Sequence, residues 1–120
     1  WRLLSNTLNC DAGRWILSDH QHARNELALS RVEGGEVRGY VIDRTFFDSE
    51  TGLRWIIDYK TSAPLPDESL DSFTTREQSH YQSQLQTYAE LLAELPAAEH
   101  QVAIKTALYF PAIQVLSITA

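Results

Sequence analysis

The apolar residues of this chain fall into short segments separated by turn-forming residues, a pattern that is typical of β-strands. The segments are rich in Val, Ile, Trp, Phe and Tyr, which fit the pleated surface of a sheet. Gly34 and Gly35 should turn the first segment into the second. The turn-forming residues 48–52 should connect the second to the third. The pattern predicts strands at residues 26–32, 36–47, 53–60, 102–110 and 115–118.

One longer segment has the spacing of an amphipathic helix. Between residues 76 and 94, Leu85, Tyr88 and Leu92 recur at helical intervals, and Pro96 should end the helix. Residues 61–75 carry two prolines and predict a loop. We expect residues 1–8 to be the remnant of a helix and residues 14–18 to form a short helix or strand. The order of three strands, a helix and a strand predicts an α/β (α+β) fold, with a mixed sheet and flanking helices.

Three charged residues interrupt these apolar segments near strand ends. Asp43 follows Val41 and Ile42, whereas Asp58 and Lys60 follow a Trp-Ile-Ile segment. A hairpin centred near residue 50 would place Asp43 opposite Asp58, with Lys60 on the same face of its strand as Asp58. Buried charges are unfavourable unless they are paired or bind a metal, and two adjacent carboxylates repel each other. A divalent cation that prefers oxygen ligands, such as Mg²⁺, would fit this patch better than Lys60 alone.

These residues belong to a series that resembles a known family. Ile42-Asp43-Arg44, then residues 57–62, then the Tyr-Gln-Ser-Gln-Leu-Gln-Thr-Tyr segment at 81–88 are similar to the motifs of RecB-like nucleases in the PD-(D/E)XK superfamily. Residues 108–111 also resemble that group, so the likeness extends from about residue 26 to 111. It is strongest to the C-terminal nuclease domain of exonuclease V beta subunits and related UvrD/Rep-type helicase-nucleases. The resemblance implies a restriction-endonuclease-like PD-(D/E)XK core.

The resemblance also implies a metal centre. Asp43 and Asp58 would be ligands of Mg²⁺, for which Mn²⁺ should substitute, and the backbone carbonyl of Tyr59 would be a third ligand. Glu26 matches a recurrent acid of these domains, and its role is less defined. Nucleases of this kind usually carry a His or an acid on a helix ahead of the strands. We expect that helix to be missing here.

The resemblance implies catalytic roles for three further residues. Lys60 would orient the attacking water or stabilise phosphate charge, while Gln84 and Tyr88 would line the site from one face of the helix. Arg44 points to the opposite side of its strand from Asp43, where we expect a surface residue or a phosphate contact.

Composition bears on the context of this activity. The chain has 120 residues, enough for one domain spanning 1–120, and it lacks Met, so we expect a fragment of a longer helicase-nuclease. Cys10 is the one cysteine and no long apolar run occurs, which suits a cytoplasmic protein. The net charge of −6 is unfavourable for binding phosphates. We therefore expect helicase domains of the parent chain, and partner subunits of an exonuclease V-like complex, to hold the DNA.

Three functions remain open from the sequence. The first is Mg²⁺-dependent exonuclease action on DNA in recombination and repair, in which the isolated fragment would cut DNA slowly or not at all. The second is an inactive domain of the same fold with a DNA-binding or structural role in a repair helicase. The third is an acid/base enzyme that uses the carboxylate pair, such as a glycosidase.

Overall fold

A computed structural model describes residues 11–95 and 102–119 of the chain. They form two helices and a sheet of five strands in the order β1-β2-β3-β4-β5. Strands β3 and β4 are parallel, and the other neighbours are antiparallel. The elements are α1 (Asp11–Leu17), β1 (Gln21–Glu33), β2 (Glu36–Asp48), β3 (Leu53–Tyr59), α2 (Leu70–Ala93), β4 (Ile104–Phe110) and β5 (Val115–Ile118). The predicted α+β class with a mixed sheet is confirmed. The predicted segment at residues 1–8 lies outside the described residues.

The two predicted hairpins are present. Gly34 and Gly35 have φ angles of +57° and +82°, so both adopt the left-handed conformation that a tight hairpin turn requires. At the second turn, the Asp48 carboxylate accepts hydrogen bonds from the Thr51 hydroxyl and the Glu50 backbone N–H. This Asx-type turn fixes the register in which Asp48 lies opposite Leu53.

Helix α2 begins six residues before the predicted start at residue 76. The side chain of Ser69 accepts a hydrogen bond from the backbone N–H of Ser72 at 3.1 Å and caps the helix. The first turn is largely exposed and lacks an apolar stripe, except that Phe73 is fully buried. The hydrophobic pattern therefore identified the body of the helix, whereas its start depends on the cap. Because β3 and β4 are parallel, a crossover such as this helix is needed to connect them.

The sheet is covered on both sides by buried side chains. Helix α2 packs over one group of buried residues, here called the α2-side cluster. Helix α1 packs over the other group, here called the α1-side cluster. The α2-side cluster comprises Ile42, Ile56, Phe73, Leu85, Tyr88, Leu92, Leu108 and Phe110. The α1-side cluster comprises Ile16, Phe46, Trp55, Ile57, Ala107 and Tyr109. Within the described part of the chain, no helix is long and apolar enough to cross a membrane.

The short helix or strand predicted at residues 14–18 is a helix, α1, which lies ahead of β1 and packs on the sheet, so the expectation that the helix ahead of the strands is missing is wrong. Its C-terminal end is held by Arg44, which donates from Nε to the Ile16 carbonyl at 2.6 Å and from Nη2 to the Ser18 carbonyl at 3.0 Å. Nη1 donates to Asn25 Oδ1 at 2.8 Å. Arg44 is therefore a buried structural residue, and the prediction of a surface or phosphate-contacting role is wrong. Its cation satisfies carbonyls that a helix end leaves without intrahelical partners.

We expect Arg44→Ala to lower the free energy of unfolding by about 2–4 kcal/mol, because charged hydrogen bonds are lost and buried carbonyls stay unsatisfied. Urea denaturation measures this change. Arg38→Ala is the control, since the Arg38 side chain is 65% exposed and should contribute little. Equal stability of both variants would contradict the structural role of Arg44.

Candidate functional site

The two aspartates of the predicted site lie side by side at the end of the β2–β3 pair. Arg44 lies opposite Ile57, and the next position in this antiparallel register brings Asp43 beside Asp58. The Tyr59 backbone N–H donates to Asp43 Oδ2 at 2.8 Å, and the two carboxyl groups are within hydrogen-bonding range of each other. The hairpin geometry predicted from the turn at residues 48–52 is therefore confirmed. The assignment of these residues as metal ligands stays a prediction.

The strand pleat is interrupted at Asp43. Ile42 belongs to the α2-side cluster, whereas Arg44 reaches toward α1, although residues two apart on a regular strand share a face. The neighbouring strand β1 changes face at the same level of the sheet. Leu27 lies on the α2 side, whereas Asn25 contacts Arg44. Between them, Glu26 has a φ of +51°, a strained conformation for a glutamate. Such irregularities re-aim side chains and are frequent next to active sites.

Glu26 therefore lies at the same level of the sheet as Asp43. It is exposed, and it lines a surface cavity together with Asp43, Leu17, Asn25 and Tyr59. Leu17, the last residue of α1, forms one wall of this cavity. The structure thus places Glu26 near the aspartate pair, while its role as an additional acid stays a prediction.

Asp58 is the most perturbed group of the site. Its side chain is 6% exposed, and burial raises its pKa to about 6, helped by the hydrogen bond with Asp43. Lys60 opposes this rise, with Nζ at 2.9 Å from Asp58 Oδ2. That buried oxygen nevertheless has no hydrogen-bond partner of good geometry among the described residues. One carboxylate oxygen at the centre of the site is therefore incompletely satisfied.

Lys60 follows directly after β3, and contacts hold both its backbone and its side-chain ammonium. Its backbone N–H donates to the Tyr109 carbonyl at 2.9 Å. Burial would lower the pKa of the Lys60 ammonium, but the contact with Asp58 outweighs it and the pKa is raised. On the side away from the sheet, Nζ lies 3.7 Å from the centroid of the Tyr81 ring on α2. Lys60 is therefore a cation fixed between a carboxylate and an aromatic face.

The predicted residues Gln84 and Tyr88 form a pair on α2. Gln84 Nε2 donates to the Tyr88 hydroxyl at 2.8 Å. Tyr88 belongs to the α2-side cluster, and burial raises its pKa, with a further rise from the charges of Asp58 and Asp43. The tyrosine thus joins the core to the site, whereas Gln84 is exposed and connects to the site through the Tyr88 hydroxyl. Their catalytic roles stay predictions.

Sequence reasoning gave no role to Tyr81, although a signal was available. Tyr81, Gln84 and Tyr88 are spaced i, i+3 and i+7, which places them along one face of α2. The contact between Tyr81 and Lys60 depends on how the crossover helix crosses the end of β3. Local patterns do not specify that crossing.

The residues present fit an oxygen-preferring divalent cation. The site offers two carboxyl groups that repel each other when ionised and a nearby backbone carbonyl at Tyr59. Oxygen atoms of these kinds are the ligands that Mg²⁺ and Mn²⁺ take. Among residues 11–95 and 102–119, no third His, Cys, Asp or Glu joins the pair to form a larger cluster. On α1, Asp11 is exposed and forms an ion pair with Arg14. The helix itself therefore adds no acidic ligand to the pair.

The fold is an α+β domain, with a mixed sheet and a crossover helix. Two aspartates and a lysine cluster at adjacent strand ends and form an acidic centre that is compatible with a metal ion. The family model of the PD-(D/E)XK nuclease superfamily matches residues 7–115, which is most of the chain, and the protein belongs to this superfamily. Its members typically use a divalent metal and act on nucleic acid. A search of curated proteins finds no match.

Proposed function

We propose that this chain is the nuclease domain of a RecB-like helicase-nuclease that hydrolyses DNA phosphodiester bonds with Mg²⁺ or Mn²⁺. The observation that carries the proposal is the pair of adjacent carboxyls Asp43 and Asp58 at the end of the β2–β3 pair, with the ammonium of Lys60 at 2.9 Å from Asp58 Oδ2. Membership of the nuclease superfamily supports the reaction class. The motif resemblance supports the finer context, which is exonuclease action in DNA recombination and repair.

Each residue of the site has a separate task in this proposal. Asp43, oriented by the Tyr59 N–H, and Asp58, oriented by burial, would hold the cation together with the Tyr59 carbonyl. The bound cation supplies Lewis-acid activation of the phosphate and of water. The ammonium of Lys60 stabilises negative charge that develops on the phosphoryl oxygens. Gln84 and Tyr88 form a polar wall that orients the substrate at the edge of the core.

The net charge of −6 bears on how the substrate is held. Affinity for DNA depends largely on Lys and Arg contacts to phosphates, and this chain carries only ten such residues, of which Arg44 is occupied internally. We propose that helicase domains of the parent protein, with partner subunits, present the strand to this domain. DNA binding by the chain alone should therefore be weak and lost at moderate salt.

The geometry argues against a glycosidase-type enzyme. Glycosidases separate their two carboxyl groups by about 5 Å or more to accommodate the sugar or a water. Here the carboxyl groups of Asp43 and Asp58 lie side by side on paired strands, within hydrogen-bonding range of each other. That separation leaves no room for a glycosidic bond between them.

One observation favours an inactive PD-(D/E)XK domain as the second candidate. The described residues supply two carboxylates and no third acidic or imidazole ligand. Such a domain would keep the fold and a DNA-binding or structural role in a repair helicase. Cleavage assays with Mn²⁺ and labelled single- and double-stranded DNA separate the candidates. Metal-dependent cleavage that disappears in Asp43→Asn supports the nuclease, and metal binding without cleavage in the parent protein supports the inactive domain.

We expect Lys60→Ala to reduce cleavage by about a hundred- to a thousandfold, as for the loss of one preorganised donor to transition-state charge. Binding of Mn²⁺ should stay equal or become tighter, because a positive charge beside Asp58 is removed. Lys105→Ala is a matched control, since Lys105 is exposed on β4 and is the only other lysine of the chain. Wild-type cleavage by Lys60→Ala would show that Lys60 is structural.

A further inference from the structure

Among the described residues, one aromatic side chain, that of Tyr81, contacts the ammonium of Lys60 from helix α2. The ring of Tyr81 faces Lys60, with Nζ at 3.7 Å from the ring centroid. This distance is within the range of cation–π contacts, which strengthen when the ammonium is partly desolvated. The Lys60 side chain is 18% exposed, so it lies in that stronger regime. The contact joins α2 to the end of β3, next to the aspartate pair.

Lysine needs such a constraint at this position. Its long side chain has several rotatable bonds, so holding the ammonium in one place costs side-chain rotamer entropy. In the described structure two groups fix the ammonium, which are the Asp58 carboxylate at 2.9 Å and the Tyr81 ring. When Asp58 shares its charge with a divalent cation, the ion pair to Lys60 weakens, and the ring face becomes the main group that keeps Nζ in place.

We propose that Tyr81 is a positioning residue, whose ring fixes the Lys60 ammonium over the site before and after Asp58 engages a cation. The effect of Tyr81 on catalysis rests on the proposed function. The contact between Tyr81 and Lys60 rests on geometry alone. The aromatic face carries the interaction, so phenylalanine should replace tyrosine while an aliphatic residue should not. The role differs from core packing, because Tyr81 is only partly buried and lies beside the α2-side cluster.

The chain offers a direct spectroscopic test, because Lys60 and Lys105 are its only lysines. Labelling lysine at the ε carbon gives two signals, and Lys105→Arg assigns them. A ring above Lys60 should shift its ε protons upfield relative to those of Lys105 and give nuclear Overhauser contacts to the Tyr81 ring. Both features should persist with saturating Mg²⁺ and in Tyr81→Phe, and should disappear in Tyr81→Leu. Gln82→Leu, an exposed neighbour on α2, is the control and should change neither.

Cleavage kinetics provide the second readout. Tyr81→Leu should lower kcat about tenfold, which corresponds to about 1.4 kcal/mol, with KM and the affinity for Mn²⁺ unchanged. Tyr81→Phe should restore the wild-type rate. If the wild-type chain and its parent protein bind no metal and cleave nothing, the proposed function fails, and the metal-free spectra still decide the contact.

Two results would overturn the inference. One is a Lys60 signal at the position of Lys105 in the wild-type chain, with or without Mg²⁺. The other is a Tyr81→Leu variant that keeps both the upfield shift and the wild-type kcat. If Tyr81→Leu does not fold, the Overhauser contacts in the wild-type chain, measured with and without Mg²⁺, decide the question without any variant.

Discussion

Asp58→Asn should remove both metal-induced stabilisation and cleavage. A ligand that binds only the folded chain raises its stability by about 2.7 kcal/mol at a concentration of 100 times Kd. The wild-type chain should show this rise with Mg²⁺ or Mn²⁺. The variant should not, because the buried carboxylate that pairs with Asp43 becomes a neutral amide. Since bound cations contribute several kcal/mol to transition-state stabilisation, cleavage should fall about a thousandfold or more.

Thermal shift and cleavage assays measure these effects. Asp67→Asn is the control, because Asp67 is an exposed acid in the loop before α2. This substitution lowers the net negative charge by the same amount. Asp43→Asn should behave like Asp58→Asn. A full metal-induced shift in both site variants would show that the cation binds elsewhere and would refute the metal centre.

The stability of the metal-free chain should decrease as the pH rises from about 4 to about 6. Burial raises the pKa of Asp58 in the folded chain to about 6, against 3.8 for an unperturbed aspartate, so the folded state should bind more protons than the unfolded state in this window. The stabilisation from this group is complete below the lower value and is lost as the pH passes the higher one. A difference of this size corresponds to about 2–3 kcal/mol.

Urea denaturation in the presence of a chelator, repeated across this pH window, tests the sign and the size of this change in stability. The difference between the wild-type chain and Asp58→Asn isolates the group, because other carboxyls titrate in both proteins. Saturating Mg²⁺ should abolish the decline by favouring the ionised carboxylate. A difference in stability that stays constant with pH would show that Asp58 is ionised throughout and would contradict its raised pKa.

The site was predictable as far as it is local in sequence. Asp43 and Asp58 are joined by one hairpin, whose Asx turn and alternating apolar residues fix the register. A short-range pattern therefore sufficed to bring the two carboxylates together. The same holds for the Gly34-Gly35 turn, whose positive φ angles follow from the residue type.

Features that depend on contacts between distant elements were not predictable. Arg44 has the same local context as a surface arginine. Its burial follows from the carbonyls of Ile16 in α1 and of Ser18 just after it, which lie 28 and 26 residues away in the chain. The start of α2 depends on the Ser69 cap and on Phe73 reaching the core beneath it. The place of Tyr81 over Lys60 depends on the path of the crossover helix. In each case the decisive partner is non-local.

Strands β1 and β2 change face at the same level of the sheet. This limits how the length of the β1–β2 hairpin can vary during evolution. Because both strands switch sides at Glu26 and Asp43, Leu27 and Ile42 pair on one side of the sheet while Asn25 meets Arg44 on the other. Losing one residue from a single strand would exchange the faces of every side chain beyond that point. Insertions and deletions near the aspartate pair should therefore survive only as matched events in both strands, or at the glycine turn beyond them.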